Sequence, residues 1–359
     1  VSNANFSTPP DGALPRMQMY LGSAATTFTV LTPITIAGTL QSFPASFGPQ
    51  TFAFTGDVVL ADDGDASNAG NVNDGCQTVI NSIAGKIALM DRGNCTFKAK
   101  VYNAQQAGAI AVIVANNDSA ILPTMGEDTA VAAVTIPSVL IEKADGLTLK
   151  NELSSTVTVN IEGVQRDGAF DNGVIIHEYG HGLSTRLTGG PGNSNCLDAI
   201  EPGGLGEGWS DFLTLAITAK LTDTATTPRT IGRWLVGQSV GGPGFRNYPY
   251  TTDMNVNPQT FAYTNLSDEV HDVGEIWASM LWEVYWNLVN KHGYDPDLLS
   301  VNSGNQLALQ LVIDGMKLQP CNPTFVEARD AILAADLANT GGVNQCQIWE
   351  GFAKRGLGY

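Results

Sequence analysis

Val174-Ile-Ile-His-Glu-Tyr-Gly-His-Gly-Leu-Ser184 is the stretch on which the reading of this chain turns. It contains His-Glu-x-x-His, and its flanks predict a helix: Asn172 is a candidate cap, and Val174, Ile175 and Ile176 begin an apolar run. On a helix, His177 and His181 lie four residues apart, so both imidazoles leave one face and can meet one metal ion. Glu178 sits one step round, within reach of a water on that ion. The pentapeptide is common by chance and needs a third ligand.

A hydrolytic zinc site takes three protein ligands and keeps one position open. Gly203-Gly-Leu-Gly-Glu-Gly-Trp-Ser-Asp-Phe212 offers the third. Glu207 follows His181 by a loop and the start of a second apolar helix carrying Phe212, Leu213, Leu215, Ala216 and Ile217. Asp211 shares the helix face of Glu207 and can accept a hydrogen bond from the far nitrogen of a liganding His, fixing its tautomer. A solvated acidic face is the competing reading, and the Gly-rich, apolar company argues against it. Zinc on His177, His181 and Glu207 is the expectation.

Composition narrows the classes. The 359 residues suffice for two domains with their own cores. A net charge of −17 with only 18 Lys plus Arg argues against nucleic-acid partners. No apolar run of about 18 residues predicts a membrane span. Val1 opens no charged-then-apolar leader, so no signal peptide is expected and the chain reads as a mature or trimmed product. Five cysteines suit an oxidising compartment and hence secretion. Their positions suggest two local disulfides, Cys76–Cys95 and Cys321–Cys346, with Cys196 left over. The clusters Ala61-Asp-Asp-Gly-Asp65 and Asn71-Val-Asn-Asp-Gly75 make calcium a candidate second ion, although solvated turns are the favoured reading. Asn5, Asn94, Asn117 and Asn265 begin glycosylation sequons.

Along the chain, residues 1–21 end on an alternating strand, Arg16-Met-Gln-Met-Tyr-Leu21. From 22 to 163, short Val/Ile/Thr-rich runs alternate with Gly/Asn/Asp turns. Thr96 to Gly108 is helical in composition between two of these runs, which implies a small β-rich α/β module. From 164 to 359 helical periodicity takes over. Ile276, Met280, Leu281, Val284, Tyr285 and Leu288 form an apolar stripe, and further helices are expected near Phe325–Leu337 and Val343–Ala353.

At this point the segments resemble a family. RDGAFDNGVIIHEYGHGLSTRLTGGP, GGLGEGWSDF, RNYPYTTDMNVNPQTFAYTNL, EVHDVGEIWASMLWEVYW, LQPCNPTFVEARDAILAAD and CQIWEGFAKRGLG are similar to the fungalysins, secreted thermolysin-like zinc metallopeptidases whose third ligand is a glutamate. IALMDRGNCTFKAKVYNAQQAGAIAVIVANN resembles the heart of a protease-associated (PA) domain. The resemblance implies an α+β, multidomain chain: an N-terminal edge strand (1–21), an inserted PA domain (22–163) and a mainly helical catalytic domain (164–359). It also implies protein or peptide substrates. A further N-terminal portion and a propeptide usually precede a segment like Ser2–Phe6, so a separate N-terminal fragment or propeptide is an expected partner.

The resemblance assigns further roles. Asn3 and Ala4 match the edge segment that pairs with substrate backbone. His271, in Asp268-Glu-Val-His-Asp272, matches the histidine that stabilises the oxyanion. Thermolysin-like enzymes add a tyrosine donor between the second His and the Glu, but residues 182–206 contain no Tyr. Arg246, Tyr248 and Tyr250 are candidates for that role and for the substrate-binding wall, with loop anchoring as the alternative. His292 reads as a helix C-terminal residue without chemistry. Glu178 is the expected base. The reading from another class is a lapsed or incomplete homologue acting as a protein-binding module, which the intact Glu178 argues against.

Overall fold

The computed structural model describes residues 4–65, 71–117, 123–238, 244–266, 269–299 and 303–358. Two compact units emerge. One comprises Val1–Tyr20, Asp167–Trp234 and Ser239–Tyr359; the other comprises Leu21–Arg166 and Leu235–Gln238.

The chain opens with a two-stranded antiparallel hairpin, β1 (Ala4–Ser7) and β2 (Arg16–Met19), in the register Ala4↔Met19. The second unit then builds one sheet from β3 (Leu21–Thr32), β4 (Gly38–Leu40), β5 (Ser42–Pro44), β6 (Phe52–Leu60), β7 (Ile87–Asp91), β8 (Ala111–Ala115), β9 (Ser138–Ile141) and β10 (Thr158–Asp167). Their spatial order is β4-β3-β10-β6-β7-β8-β9-β5. Strands β6 to β9 run parallel, and β10 and β5 flank them antiparallel. The near-continuous apolar runs of β7, β8 and β9 suit strands covered on both faces. Helix α1 (Phe97–Gln106) covers one face with Val101 and Ala104, and α2 (Lys143–Glu152) covers the other with Leu149.

Helix α1 forms where composition places it, started by the Thr96 hydroxyl accepting from the Ala99 N–H. Helix α2 escapes that reading because its sequence, KADGLTLKNE, shows no apolar period. The return of Leu235–Gln238 to this unit also escapes it. Gly22 leaves room that the Leu235 side chain fills, and Gly237, at φ +67, lies against Ala25. The carboxylates of the two acidic clusters serve as turn acceptors. Asp62 takes the Gly64 N–H, Asp63 those of Asp65 and Gln77, and Asp74 that of Cys76.

The first unit is helical beyond its hairpin: α3 (Asn172–Gly189), α4 (Ile200–Thr218), α5 (Val270–His292), α6 (Gly304–Leu318), α7 (Phe325–Thr340) and α8 (Gln345–Lys354). Its core is the apolar stripe of α5. Trp277 packs against Trp209 of α4, Phe325 of α7 and Phe352 of α8, and Trp282 stacks on Tyr285. His292 ends α5 with Nε2 on Asn344 Oδ1, a structural position.

Cys76 and Cys95 are bridged. The expected Cys321–Cys346 pairing is corrected: Cys321 bonds Cys196, with Cα atoms 4.7 Å apart, and Cys346 is an exposed free thiol. The Asn322 N–H donates to the Cys196 carbonyl, which brings those two loops together. The 16-residue α7 then carries the chain about 24 Å onward before Cys346. Proximity in sequence misled because a straight helix intervenes. Titration of the unreduced protein should find one thiol. Cys321→Ser should lose about 2–5 kcal/mol of stability, since its bridge closes a long loop, whereas Cys346→Ser should stay within about 0.5 kcal/mol. Equal losses in the two variants would contradict the pairing.

Candidate metal centre

Asp171, rather than Asn172, caps α3: its carboxylate accepts from the N–H groups of Gly173 and Val174, leaving Asn172 as the first helical residue. The helix carries His177 and His181 on one face with their Nε2 atoms 3.1 Å apart. Glu207 lies well inside α4, which begins at Ile200, so the Gly-rich run before it is helical. Its glycines serve a close helix crossing. A Cβ on Gly208 would stand 2.7 Å from the Gly274 carbonyl oxygen, and one on Gly274 would stand 2.4 Å from Glu207 Cβ. That approach outweighs the poor helix propensity of glycine.

The crossing delivers Glu207 to the histidines. His177 Nε2 lies 3.1 Å from Glu207 Oε2, and His181 Nε2 lies 3.6 Å from Oε1. Ligand atoms at about 2.0–2.1 Å from a tetrahedral zinc stand roughly 3.3 Å apart, so the spacing suits one ion. These residues are the metal-type cluster found among the described residues. The donor chemistry fits too: Glu207 Oε2 is buried without a hydrogen bond. Burial works against the Glu207 carboxylate, but the three histidines around it hold it down to about 2. Burial also pushes His181 down to about 4, leaving it neutral and free to ligate.

Behind His177 sits Asp211, fully buried. It accepts from His177 Nδ1 at 2.7 Å, from Arg246 Nε at 2.6 Å and Nη2 at 2.9 Å, and from the Tyr250 hydroxyl. Burial alone would raise Asp211, yet the Arg246 charge and the His177 bond hold it well below the carboxylate range. Burial opposes charging His177 as well, but its bond to Asp211 and the Glu207 carboxylate beside it lift the ion-free imidazole to about 9. Arg246 and Tyr250, candidates for the substrate-facing wall, are both buried, and their polar ends meet on Asp211. The Arg246 Nη2 atom also approaches Glu207 Oε2 at 3.8 Å. Tyr248 is anchored through its backbone N–H, which donates to the buried Glu275.

Glu178 is nearly buried, with Oε2 lacking a hydrogen-bond partner, and desolvation pushes its pKa up. His271 stands at the start of α5, its Nε2 atom 3.5 Å from Glu207 Oε1 and its Nδ1 bonded to Glu269. Glu269 also caps α5, accepting from the N–H groups of His271 and Asp272. Its orienting contact was not singled out from sequence; the signal was an acid two residues before a histidine at a helix start. Asn3 lies outside the described residues. Ala4 stands in β1, and Phe6 of that strand packs edge-on against Tyr179 and over Gly182 of α3.

Comparison with known proteins supports a family for this geometry. An extracellular metalloproteinase of Neosartorya fischeri is 56% identical over 199 residues, which is 54% of this chain and 31% of that protein. Extracellular metalloproteinase 9 of Coccidioides posadasii is 55% identical over 199 residues, with the same two shares, 54% and 31%. The match thus takes in less than a third of the length of these relatives. Among solved structures, a zinc aminopeptidase from Bacillus subtilis overlaps 41% of this chain and 32% of its own at 25% identity and a TM-score of 0.30, too partial a likeness to carry an argument. The profile of the fungalysin metallopeptidases (M36) matches residues 1–359, and the chain belongs to that family.

Proposed function

We propose that this chain forms the catalytic centre of a secreted zinc endopeptidase. The observation that carries the reading is the convergence of His177, His181 and Glu207 beside a buried, unpartnered Glu178 oxygen. The names of the relatives and the two disulfides suit an extracellular setting. The unit around Leu21–Arg166 is proposed as an inserted PA domain.

Zinc held by His177, His181 and Glu207 would supply Lewis acidity, polarising a scissile carbonyl and acidifying water. Glu178 accepts the proton of the attacking water and passes it to the leaving amine; its raised pKa makes it a better base than a solvated carboxylate. His271, held by the contact of its Nδ1 with Glu269, presents Nε2 to the oxyanion. Asp211 fixes the His177 tautomer, and Arg246 and Tyr250 fix Asp211. The β1 segment around Ala4 offers strand pairing to an extended substrate.

Casein hydrolysis with metal analysis tests the reading. One zinc per chain with cleavage abolished by a chelator and restored by zinc is the expected result. Zinc binding without cleavage of any protein would favour a lapsed homologue.

Zinc affinity should depend on pH in a set direction. Between about 4, where His181 titrates, and about 9, where His177 does, one proton on His177 must leave before it can ligate. Affinity should therefore rise roughly tenfold per pH unit across that window and level off above it. Calorimetry at pH 7 in buffers of differing ionisation enthalpy should report about one proton released. Release of none would contradict the account.

A further inference from the structure

The carboxyl ends of β7 and β8 open onto a crevice of about 260 Å³. In sheets with parallel strands, ligands gather outside the carboxyl ends, where successive connections leave on opposite faces. Here the crevice lies at those ends, although the connections after β7 and β8 both run over the α1 face; its other wall is α2, which follows β9 onto the opposite face.

The charges of the crevice are unevenly spent. Asp91 is paired with Lys150 and also accepts from Asn71. Asp74 is buried and accepts from the Cys76 N–H and from Asn94 Nδ2. Arg92 is different: Nη1 donates to the buried Asn116 Oδ1 at 2.9 Å, and no carboxylate pairs with it among the described residues. Lys143, on the same wall, has no ion pair among the described residues either. The next turn, Gly93 at φ 149 and Asn94 at φ 52, presents two successive backbone N–H groups that meet no acceptor among the described residues. These donors line the crevice and remain available to an anion. On a chain of net charge −17, this is a local excess of unpaired donors and positive charge.

We propose that this crevice binds the C-terminal carboxylate of a peptide. The Arg92 guanidinium offers a planar fork matched to a carboxylate, and Lys143 adds charge at the rim. Asn117, whose Nδ2 donates to the Arg92 carbonyl, can accept at Oδ1 from the preceding peptide N–H, and Leu147 and Ala115 give an apolar wall for the terminal side chain. Asp74 and Asp91 on the walls favour a single negative charge over a phosphate dianion. The volume suits about one terminal residue with its peptide link.

The test uses the full chain carrying Glu178→Gln, labelled with 15N. It is made with oxidised disulfides in a host that does not glycosylate, because Asn94 and Asn117 begin sequons at the crevice. The probes are N-acetyl-alanyl-alanine, its C-terminal amide, and inorganic phosphate. The free acid should shift the amide signals of Gly93, Asn94 and Asn116 saturably. The amide should bind roughly ten- to hundredfold more weakly, as should the acid to Arg92→Ala, for loss of one charged hydrogen-bonded contact. Arg92→Gln, which can still donate to Asn116, serves if the alanine variant unfolds. Equal binding of acid and amide, full binding by the Arg92 variants, or tighter binding of phosphate than of the peptide would each overturn the proposal. The signals are read residue by residue, so the outcome stands apart from the peptidase reading.

Discussion

Glu178→Gln should lower kcat by roughly two to four orders of magnitude, the range for loss of a positioned proton carrier, while zinc content stays at wild-type level. The amide keeps the shape of the side chain but cannot accept a proton from water. Nothing in the ligand set changes, because Glu178 is not among the three residues that converge on the ion site. Stability offers an independent check. Burial raises the Glu178 pKa, so the folded protein holds its proton to a higher pH than the unfolded chain does. The charged form is thus a liability that appears as pH climbs past the unfolded value, about 4.3. The zinc-free Gln variant should therefore match wild type below pH about 4 and exceed it at neutral pH. Retained hydrolysis would remove Glu178 from the chemistry, and loss of zinc would mean that it shapes the site instead.

The parts of this site that were legible in sequence are those set by local periodicity. His177 and His181 sit at helical spacing, and Asp211 follows Glu207 by one turn, so any helix there puts each pair on a shared face. What escaped depends on how helices approach one another. The glycines around Glu207 have no visible purpose in sequence, because their reason, the Gly274 backbone, is more than sixty residues away. Arg246 and Tyr250 read as a wall because nothing local shows that their polar ends turn inward onto one buried carboxylate. Glu269 is one of three acids around His271 in sequence, and only the start of α5 makes it both the cap of the helix and the partner of His271. The cysteine error has the same origin: pairing was judged along the chain, and a helix separates the two thiols.

Asp211→Ala should be the most damaging single substitution for the fold of the metal centre. The carboxylate is fully buried and satisfies four donors, two of them on Arg246. Its removal leaves a guanidinium buried with Glu207 Oε2 at 3.8 Å as the remaining acid. Breaking one side of a buried pair costs about 3–5 kcal/mol, because the surviving charge keeps its desolvation penalty. The loss should be seen in the zinc-free protein, where ligation plays no part. Zinc affinity should fall separately, by roughly ten- to a hundredfold, because His177 loses the acceptor that orients its ring. The pH dependence has a definite sign. Asp211 is depressed in the folded state, so its contribution is complete above the unfolded value of about 3.9 and fades only as pH falls below it. The zinc-free gap between wild type and Asp211→Ala should widen as pH falls from about 9 to about 6.5, because His177 takes up the proton that its bond to Asp211 favours, then hold to pH about 5 and narrow in stronger acid. Arg246→Met with Asp211→Leu, which removes both charges together, should recover much of the stability but none of the zinc affinity. Recovery of both, or of neither, would show that Asp211 does not serve His177 and Arg246 as two distinct partners.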